Sequence, residues 1–187
     1  MAEVGEGFRK LGERVVHEGF LITSVEATFA DPSGETFERD LVHHPGAVSV
    51  VPVLDGGREV LLVRQYRAAV DKVLLEIPAG KRDVDGEPPE ITARRELEEE
   101  VGMRAGSLRK LAEFYNSPGF CDELSQVFLA TGLEKAELTA HGVEEEHMTI
   151  ETVALADVPR IISSGVLVDA KSIIGLTLAR EALAGER

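Results

Sequence analysis

The stretch Gly80–Met103, GKRDVDGEPPEITARRELEEEVGM, constrains this chain more than any other. Pro88 and Pro89 suit the first turn of a helix, where a missing N–H has no intrahelical acceptor to lose, and Gly102 stands where a C-terminal stop belongs. At about 100° per residue, Ala93, Leu97 and Val101 share one apolar stripe. Glu96, Glu99 and Glu100, spaced i, i+3 and i+4, are neighbours on an adjoining face, and Arg95 reaches Glu99 one turn on. Crowded carboxylates repel one another unless a cation sits among them. Hard oxygen donors on a rigid helix are what Mg²⁺ or Mn²⁺ prefers. Taken alone, the same run also reads as an ordinary salt-bridged, solvated helix face.

Charge narrows the choice of partner. The net charge of −14 argues against a nucleic-acid backbone or an anionic membrane surface. A small polyanionic substrate would therefore need a metal ion and local arginines. One cysteine, Cys121, leaves no internal disulfide and fits a reducing, cytoplasmic setting. No apolar run approaches the ~18 residues of a membrane span, and no charged-then-apolar leader is expected. At 187 residues and 43% apolar, the chain has material for a substantial core.

The pattern along the chain alternates strands with few helices. Residues 1–11 read as a polar lead-in with helical character. Arg14–Phe20, Leu21–Ala30 and Glu35–His43 read as a small antiparallel sheet, with Asp31-Pro32-Ser33-Gly34 as a turn. Ala47–Leu54 is a continuous apolar strand, followed by the Asp55-Gly56-Gly57 turn and strand Glu59–Gln65. Val73–Ile77 is a short strand ahead of the central helix. Strands are expected near Leu108–Phe114, Leu124–Thr131 and Met148–Leu155, and helices over Ala156–Ser164 and Asp169–Leu183. Strands on both sides of a central helix and a helix at the end predict an α/β sandwich over a mixed sheet. The division expected is an N-terminal antiparallel unit, 1–45, and a main domain, 46–187. His43, His44, His141 and His147 lack metal-ligand spacing and read as loop residues, and Cys121 has no partnering histidine in any recognisable pattern.

Glu87, seven residues, and then Arg95-Glu96-Leu97-Glu98-Glu99-Glu100-Val101-Gly102-Met103 closely resembles the Nudix box. The departure is a spacing of six residues, rather than five, between Gly80 and Glu87, which predicts a longer loop before an unaltered helix. Glu76-Ile77-Pro78-Ala79-Gly80, Ser117-Pro118-Gly119-Phe120, Glu18-Gly19-Phe20, Arg64-Gln65-Tyr66-Arg67 and Val168–Gly175 further resemble the ADP-ribose pyrophosphatase branch of that family. The resemblance runs from about residue 14 to residue 180 and implies a Nudix α/β/α sandwich.

That resemblance implies the roles. Glu96 and Glu100 would be the principal metal ligands, with Glu99 beside them and the backbone carbonyl of Ala79 completing the set. Arg95 would orient a neighbouring glutamate, and Glu87 would support the cluster. The base would come from the late loop Glu144-Glu145-Glu146, with Glu146 first, Glu145 second and Glu99 the fallback within the box. Phe20 would stack on adenine and Arg39 contact the nucleotide, both from N-terminal strands exchanged across a homodimer. Arg67 would meet phosphate or ribose, and Glu123 the terminal ribose hydroxyls, with Pro118 and Gly119 in the same loop. Glu76 is expected to be partly buried, as a ligand or a structural hydrogen-bonding group. The implied reaction is Mg²⁺-dependent (Mn²⁺ the alternative) cleavage of ADP-ribose to AMP and ribose 5-phosphate. A hydrolase of other nucleoside-diphosphate sugars, such as GDP-mannose, would carry the same box. A non-catalytic ADP-ribose sensor would be marked by lost box glutamates, and here they are present.

Overall fold

The computed structural model describes residues 7–54, 56–137 and 147–185. Glu144, Glu145 and Glu146 lie outside the described residues, as does His141. The chain forms two compact units: residues 1–46 with 115–124, and residues 47–114 with 125–187.

The first unit is built on a three-stranded antiparallel sheet ordered β1 (Arg9–Glu18), β2 (Thr23–Ala30) and β3 (Thr36–His43). The expected lead-in over residues 1–11 is therefore corrected from residue 9 onward: Arg9–Leu11 belong to β1, and the pairing of Arg9 and Lys10 with Ala30 and Phe29 satisfies backbone groups that a helix would have paired internally. His43 closes β3, as the expected strand Glu35–His43 has it and not as the loop residue its spacing suggested. Register in the β2–β3 hairpin is set by Asp31, whose Oδ1 accepts the Ser33 and Glu35 N–H groups at 2.8 and 2.9 Å. Segment 115–124 is stitched to this sheet: the Val42 N–H donates to the Phe120 carbonyl at 2.7 Å, and the Asp122 N–H to the Val42 carbonyl at 3.1 Å.

The second unit carries the central helix. Strands β7 (Ala79–Lys81), β4 (Ala47–Pro52), β9 (Leu124–Lys135) and β8 (Met103–Tyr115) form one sheet in that order, with β4 parallel to β9 and antiparallel to β7. Strands β10 (Thr149–Ala154), β5 (Glu59–Arg67) and β6 (Lys72–Glu76) form a second, antiparallel sheet. The apolar run of β4 is explained by burial on both faces. Val48 and Val50 pack with Ala93, Leu97 and Val101 of helix α1 (Pro89–Val101). Val51 and Val53 pack with Leu176 and Ala179 of helix α3 (Ala170–Ala184). This is the mixed α/β sandwich the pattern predicts. Strand β7 was not anticipated, since three residues carry too little pattern. The expected helix over Ala156–Ser164 divides into a 3-10 turn, Leu155–Asp157, and the short α2, Val158–Ser163.

The ends of α1 follow the sequence signals. Pro88 is the N-cap with extended backbone, and Gly102 takes a left-handed φ of 62° while its N–H closes back on the Glu98 carbonyl at 3.0 Å. On the opposite face of the sheet, α3 approaches so closely at Gly175 that a Cβ there would stand 3.0 Å from both Ile77 Cδ1 and Val127 Cγ1. Gly175→Ala is therefore expected to lower unfolding free energy by about 1–3 kcal/mol through overpacking, despite alanine's better helix propensity. Urea denaturation checks this; an unchanged or raised midpoint would mean that the sheet yields at no cost.

Candidate active site

The carboxylate face of α1 meets the backbone of β7. Glu96 and Glu100 are buried. The Ala79 N–H donates to Glu100 Oε2 at 3.0 Å. One residue on, Gly80 leaves room for the other carboxylate: a Cβ built there would lie 1.9 Å from Glu96 Cδ and 2.1 Å from its Oε1. No side chain fits between this strand and this helix without displacing Glu96. Gly80 was read only as the start of the box motif, and its steric role emerges from the packing.

Arg95 supplies the positive charge that such crowding demands. Its Nη1 lies 2.8 Å from Glu96 Oε1 and 3.2 Å from Glu99 Oε2, and its Nη2 lies 3.7 Å from Glu87 and 3.9 Å from Asp83. Burial works against the charged guanidinium, yet Glu96, Glu99 and Glu87 outweigh it and raise the Arg95 pKa. Arg95 Nη2 is itself buried and makes no hydrogen bond among the described residues. Glu87 is held by the Thr92 hydroxyl at 2.7 Å, so the longer loop returns it to the helix.

These residues fit a hard divalent cation in donor chemistry. Adjacent carboxylates on a rigid helix, kept in place by a glycine that admits one of them and an amide that anchors another, are what such an ion needs. Among the described residues, however, no three His, Cys, Asp or Glu side chains converge as a ready-made metal group. Two of the three glutamates, Glu96 and Glu99, are instead drawn onto Arg95, and a cation would take oxygens from that guanidinium.

Behind the carboxylates stands a second charged cluster. Glu76, 1% exposed, accepts two hydrogen bonds from Arg67, at 2.8 and 2.6 Å, and a further one from Lys171. Lys171 Nζ is also 3.0 Å from Asp169 Oδ2. Burial alone would push the Glu76 pKa up, but the two cations more than offset it and hold it below the ordinary value. Arg67 is kept charged by Glu76, with added attraction from Glu100 and Asp169. Sequence reasoning gave Arg67 a role toward substrate and Glu76 one as a ligand or a structural hydrogen-bonding group, without foreseeing their bidentate pair, and it gave Lys171 none. A glutamate in a strand that is otherwise Val-Leu-Leu was the available signal.

The remaining candidates belong to the first unit. Phe20 is fully exposed in the turn between β1 and β2, closed by the Gly19 N–H to the Ile22 carbonyl at 2.9 Å. Arg39 on β3 lies 4.7 Å over the Phe37 ring and donates to the Glu38 carbonyl. Pro118 lines a cavity of about 290 Å³ with Tyr115, Phe120, Cys121 and Asp122, and Gly119 is in the same turn. The Glu123 carbonyl accepts from the Asn116 N–H at 3.5 Å. His43 bridges Asp122 at 2.6 Å and Glu13 at 3.0 Å, and these two carboxylates raise its pKa.

Comparison with known proteins decides the family. The NUDIX domain model matches residues 43–171. The chain belongs to the Nudix family. Members of this family depend on a divalent cation, in keeping with the donor set above. A Nudix relative from Bacillus subtilis (strain 168), described as an ADP-ribose pyrophosphatase, is 43% identical over 75% of each chain. Another from Mycobacterium tuberculosis, with the same description, is 36% identical over 90% of this chain and 81% of its own. A crystal structure titled as an ADP compounds hydrolase shares the Nudix fold at a TM-score of 0.84, with 24% identity and coverage of 97% and 96%.

Two outcomes follow for this Nudix site. Gly80→Ala should fold but displace Glu96, and a displacement of about 1 Å in a site of this kind costs on the order of 10²-fold in rate. Calorimetric Mn²⁺ affinity measured beside the melting temperature checks it: wild-type affinity in a folded variant would refute the steric account. The pH dependence runs the other way from a buried neutral acid. Because the Glu76 pKa is lowered on folding, its contribution is full above its unfolded value near 4.5 and is lost as pH falls through the lower folded value. Glu76→Gln should therefore flatten the acid limb of stability against pH, read from urea midpoints at a series of pH values; an unaltered slope would count against it.

Proposed function

We propose that this Nudix protein hydrolyses the diphosphate of ADP-ribose to AMP and ribose 5-phosphate with Mg²⁺, or Mn²⁺ in its place. The observation that carries this reading is the Glu96–Glu99–Glu100 cluster, fixed by Gly80, the Ala79 amide and Arg95. The two pyrophosphatase relatives support the choice of substrate. Glu96, Glu99, Glu100 and the Ala79 carbonyl would hold the cation, which would neutralise phosphoryl oxygens and lower the cost of bringing water onto phosphorus.

The chain's own residues do the rest. Glu146, with Glu145 as second choice, holds the attacking water and takes its proton; Glu99 is the alternative within the box. The water oxygen bonds to one phosphorus, and the bridging oxygen leaves with the other phosphate. Attack at either phosphorus gives the same pair of products. Arg67 is the cationic contact to phosphate or ribose. Phe20 and Arg39 would serve the adenosine side, and Pro118, Gly119 and Glu123 the terminal ribose, with Glu76 holding Arg67.

The same reading takes residues 46–187 as the catalytic domain, in a cytoplasmic homodimer whose N-terminal strands are exchanged. Support comes from β1, exposed along its whole length with Leu11, Val15 and Val16 each more than half exposed, as is Phe8 just before it.

The test is a panel of nucleoside-diphosphate sugars, GDP-mannose included, incubated with Mg²⁺ and analysed for products. ADP-ribose should be cleaved at the highest kcat/KM, and Glu96→Gln or Glu100→Gln should lose at least ~10²-fold while remaining folded. No AMP from ADP-ribose, or wild-type turnover in either variant at saturating Mg²⁺, would overturn the proposal.

A further inference from the structure

Strand β6 and the segment Ile77–Gly80 run directly into the backbone that fixes the carboxylates, and this stretch is gripped from the far side of the sheet by the start of α3. Asp169 is the N-cap of that helix: its side chain accepts the Ser172 N–H at 3.0 Å and the Ser172 hydroxyl at 2.5 Å. The Ser172 oxygen in turn accepts the Ile77 N–H at 2.8 Å, and both partners are buried. Lys171, on the same turn, spans Asp169 and the buried Glu76. A continuous polar chain thus passes from Arg67 through Glu76, Lys171, Asp169 and Ser172 to the Ile77 amide. Two residues beyond Ile77 is the Ala79 N–H that anchors Glu100, and next to it is Gly80, against Glu96.

A carboxylate as buried as Glu76 is costly unless its charge is matched, and removing one partner of a buried pair leaves the other uncompensated. Arg67 alone would then draw Glu76 toward itself, and the Arg67 side chain also feels Glu100. We propose that Lys171 is a positioning residue for the carboxylate site: it neutralises Glu76 and so fixes the backbone of residues 76–80 on which Glu100 and Glu96 are set. Lys171 touches none of the reacting groups in this account. Its importance for turnover rests on the hydrolase reading above, but its hold on the Ala79 amide does not.

The test uses the full chain as Lys171→Met and Lys171→Arg, with Ser172→Ala as a milder cut in the same chain of hydrogen bonds. Amide hydrogen exchange is followed without metal, and Mn²⁺ affinity and ADP-ribose kinetics are measured on the same preparations. In Lys171→Met, exchange at Ile77 and Ala79 should quicken about tenfold or more while Val127, in β9, keeps its wild-type rate. Mn²⁺ should bind about tenfold more weakly, and kcat should fall more than KM rises. Lys171→Arg should recover most of each change, and Ser172→Ala should quicken Ile77 and Ala79 to a lesser degree. Wild-type exchange at Ala79, or an equal rise at Ala79 and Val127, would overturn the proposal, the latter by showing only global loosening. If the wild type cleaves no ADP-ribose, the exchange and Mn²⁺ results still decide the role of Lys171.

Discussion

The approach of one short strand to one helix governs this molecule. Strand β7 lies so near α1 that Glu96 occupies the space a side chain at position 80 would fill. That contact turns a row of helix glutamates from a solvated face into a cluster with Glu96 and Glu100 buried and Glu99 partly so, and burial is what makes their charge a problem. Arg95 answers it for Glu96 and Glu99, and the Ala79 amide answers it for Glu100. Without the glycine, the carboxylates would be pushed outward, and neither answer would be needed or possible. The apolar stripe of Ala93, Leu97 and Val101 only sets the helix down; the strand decides which side chains it presses inward.

How far the sequence could be read depended on whether a feature was local. Helix α1 was legible to within a residue, because Pro88, Pro89 and Gly102 act on their own backbone and need no distant partner. The two-sided burial of β4 was legible as a continuous apolar run. Strand β7 was not, because Ala79–Lys81 is a strand only through pairing with β4. The partners of His43 escaped for a related reason: its ring bonds Glu13 and Asp122, which are far apart in the chain. The grouping of residues 115–124 with the N-terminal strands escaped for the same cause.

In the candidate site, the grouping of Glu96, Glu99 and Glu100 and the reach of Arg95 to Glu99 came from spacing and their roles from the family resemblance, and the structure added the contacts to Ala79, Gly80 and Glu87. The pairing of Arg67 with Glu76 shows the limit of such reading. Both residues drew attention singly, but an antiparallel register setting Val63 against Glu76 and Arg67 against Lys72 is what brings the two side chains within bonding distance. Lys171 and Asp169 drew attention only as part of a motif. Their significance is topological, since α3 returns to β6 from the far end of the chain.

Asp169 has two duties that a single carboxylate seldom combines: it terminates a helix and it balances a lysine in the interior. Fraying of the first turn of α3 would therefore not be a harmless surface event. As that turn opens, Lys171 leaves Glu76, and a buried anion faces the core with one counter-charge fewer. Loss of order at this turn would be felt at the carboxylates as well. The last helix of the chain thus links a small, local loss of order to the state of the chemistry on the opposite face of the sheet.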